Sequence, residues 1–343
     1  MIKISKIKVS EIAKITGQST STVSKKIREF KFQNSLIIKS TNGKKILGLY
    51  PDAAEEYLNK FGIFLYSGPS VVLSANICGG VGKTTSVLSL GTALSRICKS
   101  DTPIVFVDGD SQGSLTSTFF KEPALDNEPI LMDYLDKKVS INDILTNVID
   151  NIWIVKSNLN QALLDKIIAK PKDIKEKMLS FYTEIFKFLG KKTKIFQDHP
   201  PQLSNLFASS VCALHQLDTQ VLKTIVVPIR GDRFALQGAS HIIREVKEIK
   251  ETFNFQENIS INCFFSSLDG RISATKETLE IAKTRDDIAK SLSGCVIRYC
   301  GKVPKSIVEC NTIYSENKKS KAAEDYQELL SEIFGFKEIT ENG

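Results

Sequence analysis

VVLSANICGGVGKTT, residues 71–85, is the stretch that decides the fold: an apolar, β-branched run breaks into a glycine loop ending in Gly-Lys-Thr-Thr. A strand, such a loop and a helix together bring backbone N–H groups and one lysine around a chain of phosphates, at a helix N-terminus whose dipole favours negative charge. The glycines permit close approach and unusual backbone dihedrals. The segment therefore predicts a phosphate-binding loop.

The spacing within the loop gives its polar residues distinct roles. Lys83 is expected to reach the β- and γ-phosphates of a nucleotide, and the Thr84 hydroxyl is expected to ligate Mg²⁺. One position departs from the strict motif, because Ile77 stands where that motif has a glycine. The loop residues predicted to bind the nucleotide are Cys78, Gly79, Gly80, Val81, Gly82, Lys83, Thr84 and Thr85.

Five segments, in order along the chain, resemble the motifs of the ParA/MinD family of P-loop ATPases. The loop is similar to the family's deviant Walker A sequence, and the others resemble its second signature, its Walker B strand, a later loop and its last helix. They are GGVGKTT (79–85), IVFVDGDSQGSLT (104–116), IFQDHPP (195–201), VPIRGDRFALQG (227–238) and the segment from Thr312 to Ile333. Together they cover most of residues 70–335.

The resemblance implies roles for three aspartates at strand ends. Asp110 would position or activate the attacking water, Asp108 would support Mg²⁺ and the loop, and Asp198 would hold a Mg²⁺-bound water. Asp108 thereby joins the residues that bind the cofactor, which is ATP or ADP with Mg²⁺. The implied catalytic residues are Lys83, Asp110 and Asp198, and the implied metal-binding residues are Thr84, Asp108 and Asp198.

The chain departs from the family pattern at the loop and at the Walker B strand. The family's defining lysine, which crosses the dimer interface to the partner's phosphates, is Cys78 here, while Gln197 and His199 flank Asp198. A neutral thiol cannot offset developing charge, and loss of such a cation costs ~10³-fold or more in rate. The backbone amides and Lys83 beside the thiol predict a lowered pKa for Cys78.

Apolar β-rich runs alternate with helical stretches through the rest of this region. Such alternation implies a parallel sheet with helices on both faces, and ligands of these sheets bind at the carboxyl ends of the strands. The sequence thus predicts an α/β fold, a mostly parallel, doubly wound P-loop NTPase sheet over residues 70–335. The predicted strands are 71–76, 104–108, 152–155, 195–198, 224–228, 261–265 and 295–299.

The N-terminal segment carries the pattern of a helix-turn-helix. Ala13 permits close helix packing, Gly17 permits the turn, and Val23 lies at the position that wedges between two helices. Residues 36–50, LIIKSTNGKKILGLY, form two apolar runs around Asn-Gly, which indicates a hairpin like the wing of a winged helix. We therefore predict a small winged helix-turn-helix domain over residues 1–66.

The charge of this segment favours a polyanionic partner. Residues 1–50 contain eleven lysines and arginines against two glutamates, a net charge of +9 in a chain of net +7. Such an imbalance is typical of DNA binding, although a small helical adaptor kept in solution by its charge is the alternative. The DNA-binding candidates on the second helix and the wing are Ser21, Ser24, Lys25, Arg28, Lys44 and Lys45.

The combined pattern predicts an ATP-dependent DNA partition ATPase, as in plasmid segregation. Resemblance implies that ATP drives homodimerisation, that the dimer binds non-specific nucleoid DNA through Arg271, and that a ParB-like centromere-binding protein releases it. The helix-turn-helix would bind a specific operator and repress the operon. The alternative is a nucleotide-gated transcription regulator with little or no ATP hydrolysis, which Cys78 favours.

Membrane association is not expected. No window holds eighteen uninterrupted apolar residues, and the C-terminal FGFKEITENG is unlike the basic amphipathic helix of a membrane-cycling MinD-like ATPase. Seven cysteines form no Cys-x-x-Cys pair, which is typical of free thiols in a reducing compartment. We therefore expect a cytoplasmic, nucleoid-associated protein.

Overall fold

A computed structural model describes residues 4–315 and 320–335, and it begins with a small mixed unit. Its three strands form an antiparallel sheet in the order β1-β3-β2. A 3₁₀ turn at Asn34–Leu36 precedes β2. The elements are β1 (Ile7–Lys8), α1 (Val9–Ile15), α2 (Thr20–Glu29), β2 (Ile37–Lys39), β3 (Ile46–Leu49) and α3 (Pro51–Asn59).

Local sequence explains how α1 and α2 meet. Gly17 has φ +64°, a left-handed conformation that costs glycine little, and it turns the chain between the helices. The Ser19 hydroxyl caps α2 by accepting a hydrogen bond from the Thr22 amide at 3.1 Å. Val23 and Ile27 are fully buried on the inner face of α2. The opposite face of α2 is exposed to solvent.

The second part of the chain is an eight-stranded sheet with helices on both faces. The strand order is β11-β10-β9-β4-β8-β5-β7-β6, and every pairing is parallel except that of β6 with β7. The strands are β4 (Ser70–Ser74), β5 (Ile104–Asp108), β6 (Leu145–Ile149), β7 (Ile152–Val155), β8 (Lys194–Asp198), β9 (Leu222–Ile229), β10 (Ser260–Leu268) and β11 (Leu292–Arg298).

The helices between these strands are of very different lengths. A 3₁₀ turn at Leu159–Leu163 precedes α8, and Pro171 opens α9. The helices are α4 (Lys83–Ser95), α5 (Ser114–Phe120), α6 (Leu131–Leu135), α7 (Ile141–Ile144), α8 (Leu164–Ile167), α9 (Pro171–Leu189), α10 (Asn205–Gln216), α11 (Arg233–Thr252), α12 (Ser273–Thr284), α13 (Asp286–Ala289), α14 (Lys302–Val308) and α15 (Lys321–Phe334). Part of the predicted C-terminal motif (316–319) and the chain after residue 335 lie outside the described residues.

Alternate residues of the central strands build two separate hydrophobic cores. Val71 and Leu73 of β4 belong to the core under α9, α10 and α11, whereas Val72 belongs to the core under α4 and α15. Burial on both faces explains why these strands are continuous apolar runs. The predicted α/β architecture with a mostly parallel sheet is confirmed.

The carboxyl ends of three strands lie side by side, and this positions the candidate site. β8 is hydrogen-bonded between β4 and β5, with Asp198 in register with both Ser74 and Asp108. The loop after β4, which is the glycine loop, therefore opens at the same edge as the aspartates of β5 and β8. This is the edge at which parallel sheets of this type bind ligands.

The N-terminal unit packs against the opposite end of α4. Its apolar residues belong to the same buried cluster as those of α4 and α15. Arg96, which follows α4 and is 2% exposed, donates from Nε to the Ser5 carbonyl at 2.7 Å and from Nη2 to the Glu11 carboxylate at 2.7 Å. Its guanidinium also lies 4.5 Å from the centre of the Tyr314 ring. Arg96 thus joins α1 to the helix that starts at the glycine loop.

We expect Arg96→Ala to lower the free energy of unfolding by about 3 kcal/mol, because it removes the guanidinium that pairs with the partly buried Glu11 carboxylate and donates to two backbone carbonyls. This value is at the low end of the usual cost of breaking a buried ion pair, because Glu11 retains some contact with water. Chemical denaturation measures the effect. The matched control is Lys99→Ala, which removes an exposed charge close by. Equal stability of the two variants would contradict the role given to Arg96.

Candidate nucleotide-binding site

The glycine loop runs from the end of β4 to the start of α4 and has the backbone that a phosphate site requires. Gly80 has φ +69° and Gly82 has φ +95°, conformations that L side chains adopt only with strain. Ser266 of β10 holds the loop from the side, donating from its hydroxyl to the Val81 carbonyl at 2.6 Å. The backbone amides at the start of α4 are therefore held in a fixed orientation at the end of the loop.

Lys83 lies folded against the loop from which it projects. Its Nζ donates to the Cys78 carbonyl at 2.9 Å, and the residue is 7% exposed. Burial lowers the pKa of the ammonium, while the Asp198 and Asp110 carboxylates oppose that change. The cation is thus held inside the loop, where an anionic ligand would meet it.

Thr84 and Asp198 form the centre of the site. The Thr84 hydroxyl donates to Oδ2 of Asp198 at 2.5 Å. Asp198 is buried, and its Oδ1 has no hydrogen-bond partner among the described residues. Burial, together with the nearby Asp108 carboxylate, raises the pKa of Asp198 to about 8. An ion or a polar group is needed to satisfy this oxygen.

The donors fit Mg²⁺ held jointly with phosphate. Across residues 4–315 and 320–335, no group of three or more His, Cys, Asp or Glu side chains converges as a complete metal site. Mg²⁺ rarely needs one, because it binds one or two carboxylates, waters and substrate phosphates. The Thr84 hydroxyl and the unsatisfied oxygen of Asp198 supply hard oxygen donors beside the phosphate loop.

Asp108 is bound to the start of α5. Its Oδ2 accepts hydrogen bonds from both the amide and the hydroxyl of Thr116, at 2.7 and 2.6 Å, and the residue is completely buried. Burial raises its pKa to about 6 despite these bonds. Asp108 therefore ties the start of α5 to the end of β5, and its role toward a metal stays a prediction.

Asp110 lies near the loop and is half-buried. Its Oδ1 accepts from the Gln112 amide at 3.0 Å, a short local turn. The negative charge of Asp110 acts on both Lys83 and Asp198. The structure thus brings the loop, Asp110 and Asp198 together at one edge of the sheet.

The thiol of Cys78 differs from the sequence expectation. Burial raises its pKa, Asp232 adds to this, and the positive charges of Lys83 and Arg230 only partly oppose it. Its Sγ donates to the Phe234 carbonyl at 3.2 Å. The prediction of a lowered pKa for Cys78 is therefore wrong, and the group is a neutral thiol that anchors the loop to the start of α11.

Two residues that hold the glycine loop, Asn76 and Ser266, were not predicted from the sequence. The Asn76 side chain donates to the carbonyls of Pro228 and Ala235, at 2.9 and 3.2 Å, and accepts from the Cys78 amide at 3.0 Å. A Cβ at Gly238 would come within 2.2 Å of the Asn76 oxygen, which explains the glycine in the VPIRGDRFALQG segment. Asn76 and Ser266 together hold the glycine loop against β9, α11 and β10.

The Walker B departures are accommodated in different ways. Gln197 is buried and satisfied, since it accepts from the Tyr182 hydroxyl at 2.5 Å and donates to the Ser210 hydroxyl at 3.3 Å. His199 is 1% exposed, and neither ring nitrogen has a partner among the described residues. Its ring meets Phe207 edge-on, with centroids 5.4 Å apart. Burial lowers the pKa of His199 to about 3, with Lys83 contributing.

This histidine should make the fold sensitive to acid. The unfolded chain protonates His199 near pH 6.5, the folded chain only near pH 3, so stability falls as pH drops below 6.5, by ~2 kcal/mol at pH 5. We expect His199→Leu to remove that loss in denaturation curves at pH 5 and pH 8. His241→Leu, a half-buried histidine on α11, is the control. An unchanged pH dependence in His199→Leu would refute this assignment.

The DNA-binding candidates lie on two well-separated surfaces. Ser21, Lys25 and Arg28 are exposed on α2, where Lys25 lies 3.8 Å from Glu29, and Ser24 donates to the Thr20 carbonyl. Lys44 and Lys45 are exposed on the turn between β2 and β3. Arg271 is 83% exposed but is held by both oxygens of Asp269, with Nη2 at 2.6 Å.

No helix within the described ranges has both the length and the apolar character to cross a lipid bilayer.

The chain is similar to one protein family and to several known proteins. Residues 70–261, more than half of the chain, match the model of an AAA domain, AAA_31. The chain is 26% identical to the sporulation initiation inhibitor protein Soj of Bacillus subtilis, over 77% of this chain and 97% of that one. It is 26% identical to the chromosome-partitioning ATPase Soj of Treponema pallidum, over 60% and 74% of the two chains.

A solved structure shares the fold. A plasmid partition protein of Borrelia burgdorferi bound to AMPPNP superposes with a TM-score of 0.59 at 19% identity, covering 78% of this chain and 98% of that one. At this identity the likeness concerns the fold alone. The family model and the relatives identify the family: the protein belongs to the AAA-domain family AAA_31 and is a P-loop ATPase of the ParA/Soj type.

Proposed function

We propose that this protein is a DNA partition ATPase that binds ATP and ADP with Mg²⁺ and hydrolyses ATP as part of a segregation cycle. The observation that carries the proposal is the cluster of Lys83 and Thr84, at the end of the glycine loop, with Asp198 of β8, whose Oδ1 has no hydrogen-bond partner among the described residues. The partition role in the name of one relative, the chromosome-partitioning ATPase Soj of Treponema pallidum, supports the biological context.

Each site residue has a separate part in this proposal. The loop amides and Lys83 bind the β- and γ-phosphates, and Thr84 and Asp198 hold the metal, directly or through water. Mg²⁺ supplies charge neutralisation at the phosphates when it is bound. Asp110 orients the attacking water and accepts its proton, since it is half-buried and its charge acts on Lys83 of the loop.

The N-terminal unit is proposed to be a winged helix-turn-helix that binds an operator. The arrangement of α1, α2 and the β2–β3 hairpin supports this, because the inner face of α2 is buried and its outer face carries exposed hydroxyls and cations. In this mode α2 enters the major groove, the lysines of the hairpin contact the backbone, and binding depends strongly on salt.

Replacing Lys25 and Arg28 together by alanine should weaken operator binding and reduce its salt slope by roughly two, one unit for each phosphate that is no longer neutralised. Binding isotherms at several salt concentrations measure the slope. Removing two exposed lysines of the ATPase part, Lys187→Ala with Lys191→Ala, is the matched control for net charge. A slope lowered equally by both double variants would exclude α2 as the contact surface.

A second DNA activity is proposed for the ATPase part. Two protomers would associate in the ATP state and bind nucleoid DNA without sequence preference through Arg271, and a ParB-like partner would stimulate hydrolysis and release them. For this contact the Arg271 guanidinium must exchange Asp269 for a DNA phosphate. The Lys25/Arg28 variant is expected to keep this ATP-dependent binding, because the two surfaces lie on different parts of the chain.

The test is ATP turnover by the full chain, alone, with DNA, and with DNA plus the protein encoded by the adjacent gene. A partition ATPase should turn over slowly alone and faster with both partners. The second candidate, a nucleotide-gated regulator, is favoured by the neutral thiol of Cys78. It would bind ATP, show no turnover under any condition, and change its operator affinity with the nucleotide.

A further inference from the structure

The glycine loop is poor in positive charge for a site that binds a polyphosphate. Lys83 is its one lysine, and Cys78 contributes only a neutral thiol. Three carboxylates, Asp108, Asp110 and Asp198, lie at the same edge and add negative charge. A triphosphate bound here would need a further cation on the side of the loop that Lys83 does not occupy.

Arg230 places a guanidinium on that side. It follows the end of β9, and its Nη1 would lie 3.7 Å from a Cβ built on Gly80, at the tip of the loop. The side chain is 56% exposed, so the head is open to an incoming ligand. Among the described residues, the two terminal nitrogens of the guanidinium have no hydrogen-bond partner, whereas Nε has one.

That one partner orients the guanidinium. Asp232 caps α11 by accepting from the Ala235 amide at 2.9 Å with one oxygen, and with the other it accepts from Nε of Arg230 at 2.6 Å. The carboxylate is thus fixed by the helix and in turn fixes the arginine. The Cys78 thiol binds the Phe234 carbonyl in the same turn, so loop and turn are held together.

We propose that Arg230 binds the terminal phosphates of the nucleotide from within the same protomer and supplies the positive charge that Cys78 lacks. The inference rests on the proposed ATPase function. An arginine suits this task because its terminal nitrogens form a planar fork that matches phosphate oxygens. Arg233, the next arginine, instead donates from Nη2 to the Glu277 carboxylate of α12 at 2.5 Å.

Nucleotide binding tests the inference without recourse to turnover. Arg230→Ala should weaken the affinity for ATP ~10–100-fold and that for ADP less, because a charge-assisted hydrogen bond to the γ-phosphate is removed. Arg230→Lys should recover part of the loss. Arg233→Ala is the control, since it removes an exposed arginine three residues away. Thermal melts of all variants separate a folding defect from a binding defect.

Moving the charge provides the second test. If Arg230 supplies the missing cation, Cys78→Lys should raise ATP affinity more in the Arg230→Ala background, where a cation is missing, than in the wild-type background. Two results would overturn the inference: Arg230→Ala binding ATP as tightly as Arg233→Ala, or no rescue by Cys78→Lys. Failure of the proposed function is a distinct result, in which the wild-type chain itself binds no nucleotide.

Discussion

Lys83→Ala is expected to weaken ATP binding ~10²–10⁴-fold, the loss of about two charge-assisted hydrogen bonds to phosphate. The structure makes this loss hard to compensate. The ammonium is buried in the loop beside Cys78, and removing it leaves the Asp198 and Asp110 carboxylates without their nearest opposing charge. Repulsion between these groups and the phosphates then opposes binding. Calorimetric titration with ATP and Mg²⁺ measures the effect.

The control for this variant is Lys99→Ala. Lys99 is exposed beyond the other end of α4, so the same change in net charge occurs away from the loop. The control should bind ATP as the wild type does. If Lys83→Ala also binds ATP normally while remaining folded, the assignment of the glycine loop as the phosphate site fails, and with it the proposed function.

The loop, the sheet and the edge at which the site lies were predictable because their signals are local. The turn at Gly80 and Gly82 needs positive φ, which marks the loop in the sequence. Burial of the central strands on both faces makes them continuous apolar runs. Strand β6 was missed because Leu145–Ile149 is short and lies at the sheet edge, paired antiparallel to β7 through a tight turn at Asp150.

The side-chain partners were not predictable, because they depend on long-range geometry. Asp108 and Asp110 are two residues apart at a strand end, and the family resemblance assigns Asp108 to the metal and Asp110 to the attacking water. Only the fold shows that one oxygen of Asp108 accepts hydrogen bonds from the amide and the hydroxyl of Thr116. The Cys78 thiol has Lys83 five residues away, but burial and Asp232, far along the chain, outweigh that lysine. Local charge is therefore a poor guide to a buried thiol.

Helix α4 links the two parts of the proposed function. It starts at Lys83 in the phosphate loop and is followed by Arg96, which is bound to the N-terminal unit. Eleven of its thirteen residues are buried, and its apolar residues share one cluster with those of α15 and of the N-terminal unit. A single buried helix therefore joins the phosphate loop to the unit that carries α1 and α2.

Asp110→Ala should separate binding from hydrolysis. We expect turnover to fall ~10²–10⁴-fold, the usual contribution of a positioned general base. ATP affinity should be retained, since Asp110 lies on the loop after β5 and bonds only the Gln112 amide through its side chain. Removal of its negative charge next to Lys83 should, if anything, strengthen the binding of phosphate. Because ATP is then held without hydrolysis, the variant should accumulate in the ATP-bound, dimeric state.

Single-turnover hydrolysis and light scattering measure the two consequences separately. Glu122→Ala, an exposed carboxylate beyond α5, is the matched control and should behave as the wild type. Normal hydrolysis by Asp110→Ala would show that another group activates the water.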